Sequence, residues 1–362
     1  MVGVNYMLIA TVLLISTTVI IPMVDAIPAV FVFGDSILDV GNNNFLPGNR
    51  SKANHPFYGV DYPGRVATGR FSNGYNGADF LSMLVGFKQS PPPFLSVTRT
   101  RVEEMVGGLN YASGGSGILD VTGENASLSL NTQIEYLEKT VKTLKKCMGS
   151  DKAARHMSKS IFILSTGNND IFGFFEAQNG EKINSTQKDQ YINLLLSTLK
   201  TQLQRMHKLG ARKLVIVGST TIGCVPAFRA VTPTGACLED LNDLSLRYNN
   251  GTVKLLDKLI SSRALKGMRY SHANVFAMLS DVISDPSSFG YAKVDTACCG
   301  GGRLNAAESC TVNATLCTNR NDYLFWDSVH PTQVAADLVA TNAFNGSRRY
   351  TTPINIQELV TL

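Results

Sequence analysis

The sequence predicts an α/β fold in which a mostly parallel sheet carries helices on both sides. Short apolar, β-branched runs alternate with longer amphipathic stretches from residue 29 onward. Three polar motifs each follow one of those runs, at the strand ends where open α/β sheets bind ligands. No linker-like shift in composition, internal repeat or low-complexity segment interrupts the chain. One domain over residues 27–362 is therefore expected.

Val30–Phe33 is a continuous apolar run, as expected for a strand buried on both faces. Leu109–Ser113 reads as a weaker strand. Leu130, Ile134, Leu137, Val141, Leu144 and Met148 recur at steps of three and four, the signature of an amphipathic helix. Ile161–Leu164 is a second buried strand. Tyr191, Leu195, Leu199, Leu203 and Met206 mark another helix, ending at Leu209-Gly210, where glycine suits a left-handed cap. Lys213–Val217 reads as a strand, a helix passes through Leu241, Leu244 and Tyr248, and a further strand is expected near Val275–Leu279. Pro331 is expected to open a final helix with Val334, Ala335, Leu338 and Val339 on one face.

The apolar stretch 7–21, followed by Val24-Asp25-Ala26, predicts a secretory signal peptide over residues 1–26. An uncleaved anchor is the rival reading. It is disfavoured because spanning a bilayer takes about 20 apolar residues and this run stops near Pro22. The formal charge is +5 without a dense basic run, which argues against a nucleic-acid partner. A cell-wall or lipid surface stays open as a partner. Secretion makes disulfides among the seven cysteines plausible. Cys224 groups with Cys237, and Cys298, Cys299, Cys310 and Cys317 form a second group. Adjacent Cys298 and Cys299 are poorly placed to bond each other, so each is expected to reach a different partner downstream. Cys147 is left as a free thiol on a helix. A metal at 298–317 is disfavoured, because paired Cys-x-x-Cys knuckles are missing. Six Asn-x-Ser/Thr sequons, at Asn49, Asn125, Asn184, Asn250, Asn313 and Asn345, agree with a secreted glycoprotein.

The chemistry lies in the three strand-end motifs and one late motif. Gly34-Asp35-Ser36, Gly114-Gly115-Ser116-Gly117 and Thr166-Gly167-Asn168-Asn169-Asp170 follow the first three strands. A serine hydroxyl is a poor nucleophile until a base takes its proton. Of the five histidines, only His330 has an acid at useful spacing, with Asp327 three residues earlier. At the expected helix N-terminus, the dipole would disfavour premature protonation of His330 while Asp327 favours it. The plain alternative is that Asp327 caps the helix. The backbone N–H groups of Ser36 and Gly115 and the Asn169 amide are candidate donors to an oxyanion. Taken singly, Gly114–Gly117 and Asn169 are turn residues. Asp35 and Asp39 are read as supports of the turn. Gly-x-Ser-x-Gly is absent around Ser36, which disfavours an ordinary nucleophile elbow.

Together these residues resemble the GDSL esterase/lipase family, also called SGNH hydrolases. Residues 33–43, 110–118, 167–170 and 327–331 are similar to its four ordered blocks. Tyr58–Gly64, Thr68–Gly74, the cysteine-rich region and Pro353–Ile356 are similar to its plant branch. The resemblance implies a flavodoxin-like three-layer α/β/α fold and a nucleophilic Ser36. It further implies His330 as base with Asp327 behind it, and an oxyanion hole of Ser36, Gly115 and Asn169. No cofactor or metal is implied. The expected activity is secreted carboxylic ester hydrolysis through an acyl-enzyme. The alternatives are acyl transfer from the same intermediate and, in another class, a catalytically idle carbohydrate-binding protein. Phe172, Phe174 and Phe175 are read as core, with an acyl pocket as the alternative.

Overall fold

The computed structural model describes residues 26–48, 51–97, 102–124 and 126–362. The leader expected over 1–26 lies outside these residues except for Ala26, as do the sequons at Asn49 and Asn125. The four described sequon asparagines are exposed. No helix among the described residues is long and apolar enough to cross a membrane.

Five parallel strands form the centre: β1 (Val30–Gly34), β2 (Gly108–Asn110), β3 (Ile161–Ser165), β4 (Lys213–Val217) and β5 (Arg269–Ala273). From one edge their order is β2-β1-β3-β4-β5, the flavodoxin-like order. A late strand, here β10 (Thr351–Pro353), adds antiparallel to β5. Smaller pairs join β6 (Lys293–Ala297) to β9 (Tyr323–Phe325) and β7 (Cys299–Gly300) to β8 (Thr315–Leu316).

Side chains two apart share a face, and the core divides accordingly. Phe31, Phe33, Phe162, Leu164, Leu214 and Ile216 face one side. There they meet α3 (Leu130–Met148), α4 (Ser150–Lys159), α6 (Ser185–Lys208) and α8 (Glu239–Ser261). Val30, Val32, Ile161, Ile163, Val215 and Val217 face the other side, against α1 (Gly77–Leu84), α9 (Val275–Ser284), α10 (Gln333–Asn345) and α11 (Ile356–Thr361). The short helices α2 (Val102–Val106), α5 (Asn168–Glu176) and α7 (Pro226–Val231) sit in the connections. The expected layered fold is therefore observed.

Three expectations need correction. Val275–Leu279 is helical. Val275, Met278, Leu279 and Val282 are buried at helical spacing, and the Asn274 side chain caps the first turn by accepting from the Ala277 N–H at 3.2 Å. The strand precedes it, at Arg269–Ala273, where Ser271 and His272 are buried in a sequence that reads as polar. Pro331 does not open the late helix: it bridges to Phe325, and Thr332 is the cap of α10, its hydroxyl accepting from Ala335 N–H at 3.3 Å. Nor is that helix the final one, since α11 follows. His330 thus stands in a loop two residues before the cap, so the proposed helix-dipole effect loses its geometric basis.

The cysteines pair as Cys224–Cys237, Cys298–Cys317 and Cys299–Cys310. The two adjacent cysteines take different downstream partners, and Cys147 is an exposed free thiol on α3.

Candidate active site

Ser36 is delivered by the end of β1. Gly34 there has φ 137°, and a Cβ would lie 2.0 Å from the Ser165 carbonyl of β3, so only glycine permits the approach. The chain then turns. The Asp35 carboxylate accepts from Ile37 N–H at 3.0 Å, while Asp35 O accepts from Asp39 N–H at 3.0 Å. This short turn holds Ser36 beyond the carboxyl edge of the sheet.

The second motif is fastened to the first. Asp39 Oδ2 accepts from Gly114 N–H at 3.0 Å, and Asn43 Nδ2 donates to Gly114 O at 2.9 Å. Gln133 of α3 accepts from Gly34 N–H at 2.8 Å, and its Nε2 lies 2.9 Å from both Gly34 O and Ser116 Oγ. Gly115, with φ 87°, is free to turn its N–H elsewhere. Among the described residues, neither Ser36 N–H nor Gly115 N–H has a protein acceptor. Gly114 N–H is consumed by Asp39, which favours Gly115 as the donor of this segment.

The third motif opens α5. Asn169 Nδ2 donates to Ser116 O at 2.9 Å, fixing the amide beside the glycine loop. Asn168 is turned inward, accepting from Ser219 Oγ at 2.8 Å. The Asp170 carboxylate accepts from Ile118 N–H at 2.8 Å, Leu119 N–H at 3.0 Å and Thr122 Oγ1–H at 2.7 Å. Asp170 thereby ties α5 to the segment after Gly117.

The late motif is a tight turn. Asp327 Oδ1 accepts from the N–H groups of Val329 and His330 at 3.0 and 2.8 Å. The His330 carbonyl accepts from Trp326 N–H at 2.8 Å. His330 Nδ1 lies 2.8 Å from Asp327 Oδ2, and its Nε2 lies 2.8 Å from Ser36 Oγ. A proton on Nδ1 satisfies the carboxylate and leaves the Nε2 lone pair facing the serine hydroxyl. Asp327 caps its own turn, and α10 has a different cap. His55, His156, His207 and His272 make no hydrogen bond to Ser36.

Residues not expected from the sequence complete the site. Tyr58 donates its hydroxyl to Asp327 Oδ2 at 2.7 Å. Phe71 packs on the His330 ring, centroids 4.9 Å apart. Both lie in stretches that resemble the plant branch, but nothing in their spacing links them to a motif more than 250 positions later. Gln133 reads only as a polar residue on an amphipathic helix.

Burial alone would raise the Asp327 carboxyl. The His330 charge and the hydrogen bonds from His330, Tyr58 and Val329 outweigh it and hold Asp327 below the ordinary range. Burial, then the Asp327 charge and its hydrogen bond, push the Tyr58 phenol up, so it remains a donor. Burial raises Asp35 and Asp39 to about 6 each, against the backbone hydrogen bonds that favour their charged forms.

Beside these groups lies an open cleft of about 920 Å³, lined by Gly115, Asn169 and Val329 and walled by Phe172, Phe174, Phe175 and Phe228. The three phenylalanines of α5 lean partly on the core yet border this space, so the plain core reading is incomplete. Phe174 stacks on Tyr191 with centroids 4.0 Å apart.

The family model described as GDSL-like Lipase/Acylhydrolase matches residues 30–343. The Arabidopsis thaliana protein GDSL esterase/lipase At5g55050 is 38% identical over 349 residues, 92% of this chain and 90% of its own length. GDSL esterase/lipase At5g37690, also from Arabidopsis thaliana, is 36% identical over 87% of this chain and 88% of its own. Among solved structures, an extracellular lipase from Streptomyces rimosus aligns at 14% identity with a TM-score of 0.37, covering 87% of this chain and 98% of that one. On the family match and the identity over most of its length, the chain belongs to the GDSL lipase/acylhydrolase family.

Proposed function

We infer that the protein is a serine carboxylic ester hydrolase working through an acyl-enzyme. The observation that carries this reading is the hydrogen-bonded line Ser36 Oγ, His330 Nε2, His330 Nδ1, Asp327. Ser36 Oγ attacks the ester carbonyl carbon while its proton passes to His330 Nε2. The carbonyl oxygen becomes an oxyanion facing the N–H groups of Ser36 and Gly115 and the Asn169 amide. As the tetrahedral centre collapses, His330 returns the proton to the departing alcohol. Water repeats the sequence: it loses a proton to His330, releases the acid and restores Ser36. Asp327 orients the imidazole and stabilises its charged form without taking its proton.

The same reading treats residues 27–362 as one catalytic unit released from a leader at 1–26. Three disulfides and four exposed sequons support secretion. The test compares wild type with Ser36→Ala on short- and long-chain acyl esters. Turnover should fall by at least about 10⁴-fold. Equal turnover by the two proteins would falsify the assignment. An added alcohol acceptor separates the outcomes: free acid as main product supports hydrolysis, and a new ester supports acyl transfer.

A further inference from the structure

A second space lies against the segments that carry the site. It is a narrow, mostly apolar cavity of about 70 Å³. Ile37 follows Ser36, Val329 and Pro331 bracket His330, and Asn168 precedes Asn169; all four line it. Val329 borders both this cavity and the open cleft. The far wall is α10, which contributes Ala335, Ala336, Ala340 and Ala343, opposite Leu81 of α1 and Leu279 of α9. Protein cores normally fill such space. Here four small side chains leave it open behind Ile37 and Val329, the sequence neighbours of the proposed nucleophile and base. Thr220 also lines it, and its Oγ1 is buried without a partner among the described residues. A hydroxyl left so inside a sealed core would be costly.

Resting on the acyl-enzyme reading, we propose that this cavity is the acyl subsite and that it selects short acyl groups. In that mechanism the alcohol must leave, and water must enter, while the acyl group stays on Ser36. The departing side therefore belongs to the open cleft, where Gly115 and Asn169 also point the oxyanion. The retained side belongs to the enclosed cavity. Its size sets the length: a dry apolar cavity of about 150 Å³ holds a benzene ring, so half that volume takes an acyl chain of about two to four carbons. The substrate class is then a short-chain acyl ester of a larger alcohol, with the alcohol lying along the aromatic wall of the cleft.

The experiment measures kcat/KM on 4-nitrophenyl acetate, butyrate, hexanoate and octanoate. Wild type should favour acetate and butyrate over octanoate by at least tenfold. Ala336→Val, which fills the cavity, should lower butyrate relative to acetate by about tenfold. Val339→Ala, which widens it, should raise hexanoate relative to butyrate by about fivefold. Covalent labelling of Ser36 by a small fluorophosphonate reports that each variant retains its site. A wild type that turns over octanoate as well as butyrate overturns the proposal without needing either variant to fold. So do variants that label normally and keep the wild-type length profile; in both cases Ser36-dependent turnover leaves the hydrolase reading standing. Full turnover by Ser36→Ala removes that reading and the subsite with it.

Discussion

The Tyr58 hydroxyl donates to Asp327 Oδ2 at 2.7 Å across 269 positions of sequence. The same oxygen faces His330 Nδ1, so the phenol and the imidazole hold the carboxylate from two sides. Phe71, edge-on to Tyr58 at 6.2 Å, closes over the His330 ring. The segment carrying Tyr58 and Phe71 therefore braces both the acid and the base.

Tyr58→Phe removes one hydrogen bond to a charged acceptor. Unfolding free energy should drop by about 1.5–3 kcal/mol in urea titrations at pH 7. Asp327 is held below its ordinary value, so its contribution is present above about pH 4 and is lost as pH falls through the folded value. The deficit of the variant should shrink below about pH 4, and kcat at pH 7 should fall. An unchanged kcat would mean that the backbone donors of the 327–330 turn suffice to place the carboxylate.

Asn169→Ala should lower kcat by about 10²–10³-fold as the oxyanion loses its amide donor, and the lost bond to Ser116 O should cost about 0.5–1.5 kcal/mol. Gly114→Ala and Gly115→Ala should differ in kind. At Gly114 a Cβ lies 2.6 Å from the Phe71 ring, so alanine displaces the residue packed on His330. At Gly115 the nearest atom is 3.7 Å away, and the cost is the left-handed backbone, about 1–2 kcal/mol. Crystal structures of the two variants would show Phe71 moved in the first alone.

His272 is buried with neither ring nitrogen partnered among the described residues. Burial lowers its pKa to about 4. The unfolded chain protonates it first, so its contribution is whole above about pH 6.5 and is lost as pH falls towards 4. His272→Leu should narrow the stability difference between pH 7.5 and pH 5. An unaltered difference in chemical denaturation would show that His272 does not carry the acid sensitivity.

Cys298 and Cys299 donate their N–H groups to Phe325 O and Trp326 O, at 3.0 and 2.7 Å, next to Asp327. Their disulfides thus anchor the strand that presents the acid. Replacing Cys298 and Cys317 by serine should cost about 2–4 kcal/mol and lower kcat. Cys147→Ser, at an exposed thiol far along α3, should change neither, as thermal unfolding and ester turnover would report.

Local pattern and short-range chemistry made much of this protein readable in advance. β-Branched runs buried on both faces, helices of period 3.6 and the spacing of Asp327 from His330 are each encoded within a few residues. Val275–Leu279 and Pro331 depart from their local pattern for a related reason: a short apolar run suits strand or helix alike, and a proline suits a bridge as well as a first turn. The tertiary structure decided what depends on distant segments meeting. It set Tyr58 on Asp327, Phe71 on His330, Gln133 between β1 and the glycine loop, and Asp39 on Gly114, leaving Gly115 free. It also left a cavity beside α10, because four alanines make a void only once that helix is packed against α1, α9 and the sheet.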